Sequence, residues 1–283
     1  MRIAKHSRKL VPVFSALLLA FFFAGCTSVA GTGRSQLSLV NEAQLNQQAA
    51  LAYSQYMSEA KLSTNRAQTA MVKRVGERIA KAAKVFMASE GREAEIANYQ
   101  WEYNLVQNDE PNAFCMPGGK IVVNTGILPV CENEAGLATV VGHEVAHALA
   151  KHGLERASQE TLASLGGTLL NIGLGAAGVS GQTTQIAMTA YGLGAQFGVL
   201  LPYSRSHESE ADRIGLSLMA LAGYDPHQAL AFWNRFSQVE GASSQGTSFF
   251  STHPTNAERI KNINVYIDEA IAKAKTANVK FTN

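Results

Sequence analysis

Charged residues are scarce in this chain: Asp, Glu, Lys and Arg make up 16% of its 283 residues. The formal net charge of +2 depends on Arg2, Lys5, Arg8 and Lys9, which lie close together near the N-terminus. Without these four, 20 basic residues stand against 22 acidic ones and the charge is −2. A nucleic-acid partner is therefore not expected. The chain also lacks a Gly-Lys-Ser/Thr motif, so no nucleotide partner is expected either.

Long apolar runs are also lacking, and the leader illustrates this. Its apolar run, residues 10–23, is shorter than the ~20 residues of a helix that spans a bilayer. Residues 1–25 are therefore predicted to be a secretory signal peptide rather than an uncleaved anchor. The leader ends in Ala24-Gly25-Cys26, which resembles the lipobox of bacterial lipoproteins, with Phe23 in place of the usual leucine.

This resemblance implies that Cys26 carries palmitate or a similar acyl chain and anchors the mature protein to a membrane. Thr27 stands where an aspartate would, in enteric bacteria, retain a lipoprotein in the inner membrane. The expected location is thus the bacterial outer membrane, with the folded part facing the periplasm.

Only two cysteines remain for the mature chain, Cys115 and Cys131. An oxidising periplasm would permit them to form a disulfide. Two buried free thiols are an equally good interpretation, because free cysteine often behaves as a small buried apolar residue.

The chain contains enough apolar residues, 46%, for one sizeable core. Residues 26–40 are predicted to be a lipidated N-terminus and tether, because Ser, Thr and Gly dominate them. Asn41, with Gln44 three residues later, predicts the start of a helix. A second helix is predicted from apolar residues that recur every three or four positions: Met71, Val75, Ile79 and Ala82.

Two strands are predicted next. Trp101, Tyr103 and Leu105 alternate with other residues at the period of a half-buried strand, and residues 120–124 follow the turn signal Pro117-Gly118-Gly119. From Glu134 onward the pattern is mostly helical. The fold class is therefore predicted to be α+β, mostly helical with a small β-sheet. One domain is expected over residues 41–270, followed by a C-terminal tail, 271–283.

A metal-binding motif lies in this helical half. His143 and His147 are four residues apart, so a helix places both imidazoles on one face, where they can bind one cation. Glu144 between them can reach the attacking water without being a ligand. The flanking residues are apolar, and Gly153 is the predicted C-terminal stop of the helix.

A catalytic zinc site needs three protein ligands and an open position for water. Glu208 and Asp212, also four residues apart, share a face of a later predicted helix. One of them can bind the metal while the other orients a ligating histidine. A solvated acidic helix is the alternative interpretation of these residues.

Together these motifs resemble the gluzincin metallopeptidases of family forty-eight, which include CAAX prenyl proteases and HtpX-like and Oma-like proteases. The short periplasmic lipoprotein members are the most similar. Four further stretches match: residues 111–123, 125–126, 203–205 and 251–260. The resemblance implies a zincin-like domain that binds one Zn²⁺ through His143, His147 and Glu208. Asp212 would then support a ligand from behind, and Glu210, which is out of phase, would have no role.

The resemblance also implies a role for His253. Glu144 would act as general base and later as general acid. The loop of His253 would return over the metal, where this histidine either stabilises the oxyanion or binds zinc as a fourth ligand and keeps the enzyme inactive. Tyr203 and Arg205 are alternative donors to the oxyanion. A third interpretation has His253 cap the helix that follows.

The resemblance further implies a substrate-binding edge strand beside the active site, assigned here to Gly118, Gly119, Ile121, Val122 and Val123. A strand that pairs with an extended peptide reads main chain rather than side chains. Unfolded or misfolded proteins are therefore the expected substrates, in ATP-independent quality control of the bacterial envelope.

Residues 161–202 contain no charged residue and are rich in glycine. We interpret them as a lid or hairpin beside the active site, because so much glycine disfavours a rigid helix. A membrane hairpin is the alternative. Two rival functions remain at this level: a chaperone or assembly factor for outer-membrane proteins, and an integral membrane protease.

Overall fold

The computed structural model describes residues 26–195, 201–242, 253 and 257–282. The predicted signal peptide, 1–25, lies outside the described residues. The fold class is confirmed: the chain is mostly helical with small sheets.

The segment after the leader is part of the fold. Strands β1 (Cys26–Ser28) and β2 (Ser35–Leu37) pair antiparallel, and Val29 and Ala30 between them are buried in the main core. The prediction of a tether over 26–40 is therefore wrong, because small residues here fill a tight turn against the domain. Gly31 shows the reason, since a Cβ on it would collide with the Phe86 ring.

Two long helices follow. Helix α1 (Glu42–Glu59) begins as predicted, with the Asn41 side chain accepting a hydrogen bond from the Gln44 amide. Helix α2 (Arg66–Ser89) buries one continuous apolar face against the core, including the predicted Val75 and Ile79.

The main sheet has three strands, β3 (Glu102–Val106), β4 (Ala113–Met116) and β5 (Lys120–Asn124), in the order β3-β5-β4. Strand β5 is parallel to β3 and antiparallel to β4. The predicted edge strand, with Ile121, Val122 and Val123, is therefore the central strand. The turn at Gly118 and Gly119, both with positive φ, folds β5 back beside β4, and β3 occupies its other side. Strands β3 and β4 are the two outer strands of this sheet.

The remaining chain is helical: α3 (Leu128–Cys131), α4 (Glu134–Leu149), α5 (His152–Ala176), α6 (Gly181–Ala195), α7 (Leu201–Leu221), α8 (Gln228–Ala242) and α9 (Ala257–Thr276). Short 3-10 turns lie at Glu93–Ile96 and Thr125–Ile127. Helix α4 is central and packs against α7, α2, α8 and the edge strand β4. Helix α9 packs along α7 and continues to Thr276, and the Thr282 amide bonds to the Gly223 carbonyl. The predicted domain end at residue 270 is therefore too early.

Helices α5 and α6 form a hairpin, which reverses near Gly178 at positive φ. Glycine does not prevent helix formation here. Large apolar side chains are exposed along the hairpin: Leu162, Leu165, Leu169, Ile172 and Ile186. In the described part of the chain, no helix has both the length and the apolar character needed to cross a membrane. The role of this hairpin as a lid remains a prediction, and residues 196–200 lie outside the described residues.

Candidate metal centre

Helix α4 carries the two histidines on one buried face. Asn133 caps its start by accepting a hydrogen bond from the Gly136 amide. The helix ends before Lys151, which adopts a left-handed conformation, and not at Gly153. The Nε2 atoms of His143 and His147 lie 3.0 Å apart. The predicted pair therefore converges on one point.

Glu208 reaches the same point from α7. Its carboxylate oxygens lie 3.2 Å from the Nε2 atoms of His143 and of His147. Burial raises the pKa of Glu208, but the charge and hydrogen bonds of the surrounding histidines outweigh it and hold the pKa far below its ordinary value. Burial likewise opposes a charged His143, yet Glu208 and Asp212 raise its pKa to about 9. Burial has the opposite result at His147, whose pKa it lowers well below the ordinary value.

His253 completes the cluster. Its Nδ1 lies 3.0 Å from both oxygens of Glu208 and 3.3 Å from Nε2 of His143. The ligand atoms of His143, His147, Glu208 and His253 all lie within 4.8 Å of one another. Tetrahedral zinc with bonds of about 2.0–2.1 Å holds its ligand atoms roughly 3.3 Å apart, which agrees with this spacing.

Glu144 provides a second test of the fit. Its side chain is buried beside the cluster, and its Oε1 has no hydrogen-bond partner among the described residues. The Nε2 of His253 lies 3.6 Å from that oxygen. Burial raises the pKa of this carboxyl. A buried acceptor without a donor at this position suits a base that receives a proton from an incoming water.

Asp212 lies behind His143, as the resemblance implies, with Oδ1 3.0 Å from Nδ1 of the histidine. Arg259 of α9, to which the sequence assigned no role, binds both carboxylates. Its Nη2 donates to Asp212 at 2.9 Å and its Nη1 lies 3.0 Å from Glu208. The guanidinium also stacks over Trp233, 4.0 Å from the ring centre. The only sequence signal for Arg259 was its place in the matching stretch at 251–260.

Three other histidines are described, and two of them lie in a buried cluster beside the centre. His152 is buried at the start of α5, and burial lowers its pKa to about 4. One ring nitrogen of His152 contacts His147, and the other contacts Glu210. The sequence had assigned no role to Glu210. His207 bonds to Glu155. His227 is exposed on the surface, and its ring bonds to Asp225, two residues earlier.

Several other residues have predicted roles but are not among the described residues that form the metal centre. Arg205 is exposed, and the side chain of Tyr203 lies outside the described residues, as do the neighbours of His253 on both sides. Cys115 and Cys131 are both free thiols. Cys26 is exposed at the first described position, and its acylation remains a prediction.

A cavity of about 310 Å³ opens onto the centre. Residues from the start of β4 line one side, and His147, Glu208 and His253 line the other. An edge strand therefore borders the metal centre as predicted, but that strand is β4. Gly118 and Gly119 lie in the β4–β5 turn, at the end of β4 that is far from the cavity. Strand β5 is one strand further from the cavity than β4.

The chain matches peptidase family M48 over residues 66–267. It is 37% identical to the mitochondrial metalloendopeptidase OMA1 of Schizosaccharomyces pombe, over 65% of this chain and 51% of the relative. It is 27% identical to human mitochondrial metalloendopeptidase OMA1, over 94% of this chain and 50% of the relative. The beta-barrel assembly-enhancing protease of Escherichia coli K12 is 29% identical, over 56% and 33%. The chain spans about half the length of these OMA1 relatives.

These relatives contradict the predicted location. The OMA1 proteins are mitochondrial, whereas the expectation was an outer-membrane lipoprotein of a bacterium. The prediction of a bacterial outer-membrane location is therefore wrong. Its physical basis was narrow, because a basic, apolar leader is a general sorting signal and does not identify the membrane to which a protein is sent.

Proposed function

Because the chain belongs to peptidase family M48, whose members are zinc-dependent metallopeptidases, we propose that it is an endopeptidase that cleaves unfolded or misfolded proteins in protein quality control. One observation supports this most: His143, His147 and Glu208 converge within ligand distance beside Glu144, whose Oε1 has no hydrogen-bond partner among the described residues. No nucleotide is required in this proposal.

His143, His147 and Glu208 would hold the metal. Zinc, when bound, supplies a Lewis acid that lowers the pKa of water toward ~7 and polarises the scissile carbonyl. Glu144 takes the proton from the attacking water and later transfers it to the leaving amine. Its Oε1 has no hydrogen-bond partner among the described residues, so this oxygen is available to the incoming water. Asp212 and Arg259 keep His143 and Glu208 in place.

Strand β4 would bind the substrate. The Asn124 amide donates to the Asn112 carbonyl, and the alternation of an antiparallel ladder then turns the main-chain groups of Ala113 and Cys115 away from β5. No described strand pairs with that side. An extended substrate can therefore add there as a further strand, and such pairing selects for unfolded chain rather than for sequence.

His253 would keep the resting enzyme closed. A catalytic zinc site leaves one position open for water or substrate. The distances of 3.0 Å to Glu208 and 3.3 Å to His143 support His253 as the group that occupies this position. Displacement of its loop would then activate the enzyme, which is the latched form of the family pattern.

A second candidate function is assistance in the assembly of other proteins with cleavage secondary. The name of the Escherichia coli relative, beta-barrel assembly-enhancing protease, and the fourth donor at the centre favour it. This function would not need Glu144 as a base.

Glu144→Gln separates the two. The amide cannot accept the proton, so cleavage of casein without ATP should fall at least about 100-fold while the zinc content stays at one per chain. Glu134→Gln is the matched control: this residue lies half-buried at the start of the same helix, where it pairs with Arg74, and the variant should cleave like the unmodified protein. Unchanged cleavage by Glu144→Gln would contradict the proposed function. A cellular phenotype that survives this substitution would favour the assembly role.

A further inference from the structure

A buried chain of hydrogen bonds runs from the back of His147. Its Nδ1 lies 2.7 Å from Nδ1 of His152, and Nε2 of His152 lies 3.0 Å from an oxygen of Glu210. With a metal on Nε2 of His147, its Nδ1 carries the proton and donates to His152. His152 then carries its proton on Nε2 and donates to Glu210. Every donor in this chain has an acceptor when both histidines are neutral.

The carboxylate at the end of this chain is held by a cation from the N-terminal segment. Arg34, which lies between β1 and β2, donates from Nε and Nη2 to Glu210 at 3.0 and 2.9 Å. The same guanidinium bonds to both oxygens of Glu155 at 2.9 and 2.7 Å. The Thr32 hydroxyl also donates to Glu210. Both carboxylates are buried, so a shared cation is what allows two negative charges here.

His207 closes the arrangement. Its Nε2 bonds to Glu155 at 3.0 Å, and its ring stacks on His152, with ring centres 4.3 Å apart and planes at 13°. His152 is thus fixed by the stack on one face and by hydrogen bonds at both nitrogens. The N-terminal segment, α5 and α7 meet at this one cluster.

We propose that His152 and Glu210 are positioning residues for the metal ligand His147, and that the N-terminal segment locks them in place through Arg34. The inference rests on the metal site of the proposed function and extends it to residues 32–34, far outside the metal-binding motif. Loss of Arg34 leaves two buried carboxylates without their cation. Glu210 then leaves His152, and His147 loses the partner that fixes its ring.

This arrangement parallels the support of the other histidine. His143 is backed by Asp212, which is held by Arg259 from α9. His147 is backed by His152 and Glu210, which are held by Arg34. Each ligand on α4 therefore depends on an arginine from a distant part of the chain. Outer partners of this kind typically change metal affinity 10- to 100-fold when they are removed.

The test is the rate at which zinc passes from the purified full chain to a chromogenic chelator. Arg34→Gln and Glu210→Gln should each release zinc about 10-fold faster than the unmodified protein. The Co²⁺-substituted variants should also show altered visible absorption bands, because the position of one ligand has changed. The matched control is Glu269→Gln, which removes a two-bond ion pair between α7 and α9, at 2.8 and 3.0 Å to Arg213. It touches no metal ligand and should release zinc at the unmodified rate.

The inference would be overturned if Arg34→Gln and Glu210→Gln released zinc at the same rate as Glu269→Gln and showed an unchanged Co²⁺ spectrum. Arg34 is partly exposed, so Arg34→Gln supplies the test if Glu210→Gln does not fold. Arg34→Lys retains the positive charge, so its rate of zinc release should lie between the rates of Arg34→Gln and of the unmodified protein. A protein that binds zinc but does not cleave casein would contradict the proposed function and leave this result unaffected.

Discussion

Gly142 of α4 and Gly215 of α7 lie in direct backbone contact. A Cβ on Gly142 would come within 2.9 Å of the Gly215 carbonyl oxygen, and a Cβ on Gly215 within 2.9 Å of the His143 amide nitrogen. Gly215 follows Glu208 by two helical turns and lies on the same face of α7. The close crossing therefore brings the third ligand to the two histidines.

Gly215→Ala should disrupt this crossing. The added methyl group must push two backbones apart, which costs about 1–3 kcal/mol of unfolding free energy and moves Glu208 away from His143. We expect both a lower midpoint of urea unfolding and a reduced zinc content. Gly173→Ala is the control, because a Cβ there meets nothing within 4 Å. A Gly215→Ala protein with full zinc and full stability would show that the crossing has no such role.

His253→Ala tests the closed resting state. Removal of the fourth donor should open the metal centre, so casein cleavage should rise several-fold and zinc should pass to a chelator more quickly. His227→Ala, at an exposed histidine, should change neither rate. If cleavage falls instead while zinc release is unchanged, His253 acts on the oxyanion, and the proposal that it keeps the resting enzyme closed is wrong.

The two cysteines should remain thiols in the folded protein. Burial raises the pKa of Cys115 far above its ordinary value and that of Cys131 to about 12, so little thiolate is present at neutral pH. Peptide mapping after treatment of the native protein with diamide should find no bond between them, and alkylation should be slow until urea is added. A Cys115–Cys131 peptide from the native protein would contradict this.

The Arg34–Glu155 pair should make stability depend on pH. Burial raises the pKa of Glu155, but His207 and Arg34 outweigh it and hold the pKa at about 2, below the ordinary 4.5. This stabilisation is therefore fully present above pH 4.5 and is lost as the pH falls toward 2, at up to about 1.4 kcal/mol per pH unit. In Arg34→Gln the pKa of Glu155 should be higher. The difference in unfolding free energy between the two metal-free proteins should thus be larger at pH 6 than at pH 3. If the difference in unfolding free energy were the same at pH 6 and pH 3, Arg34 would not be the group that lowers the pKa of Glu155.

The sequence could predict the parts of this protein that depend on short-range geometry. His143 and His147 share a face because a helix repeats every 3.6 residues, and the same spacing links Glu208 to Asp212. The apolar face of α2 and the Asn41 cap are likewise local. Resemblance to a family then joined the two motifs and identified Glu208 as the third ligand.

Other features required the tertiary structure, because they depend on residues far apart in the chain. Strand order was one: no local pattern in 120–124 indicates that β3 will pair with its second side, which makes β5 central and leaves β3 and β4 as the outer strands. The role of Glu210 was another. Its position in the helical repeat turns it away from the metal, but the repeat does not indicate that Glu210 contacts His152. Arg34 and Arg259 approach the centre from opposite ends of the chain. The sequence by itself determined which side chains can bind zinc; only the packing of distant segments decided which residues hold those side chains in place.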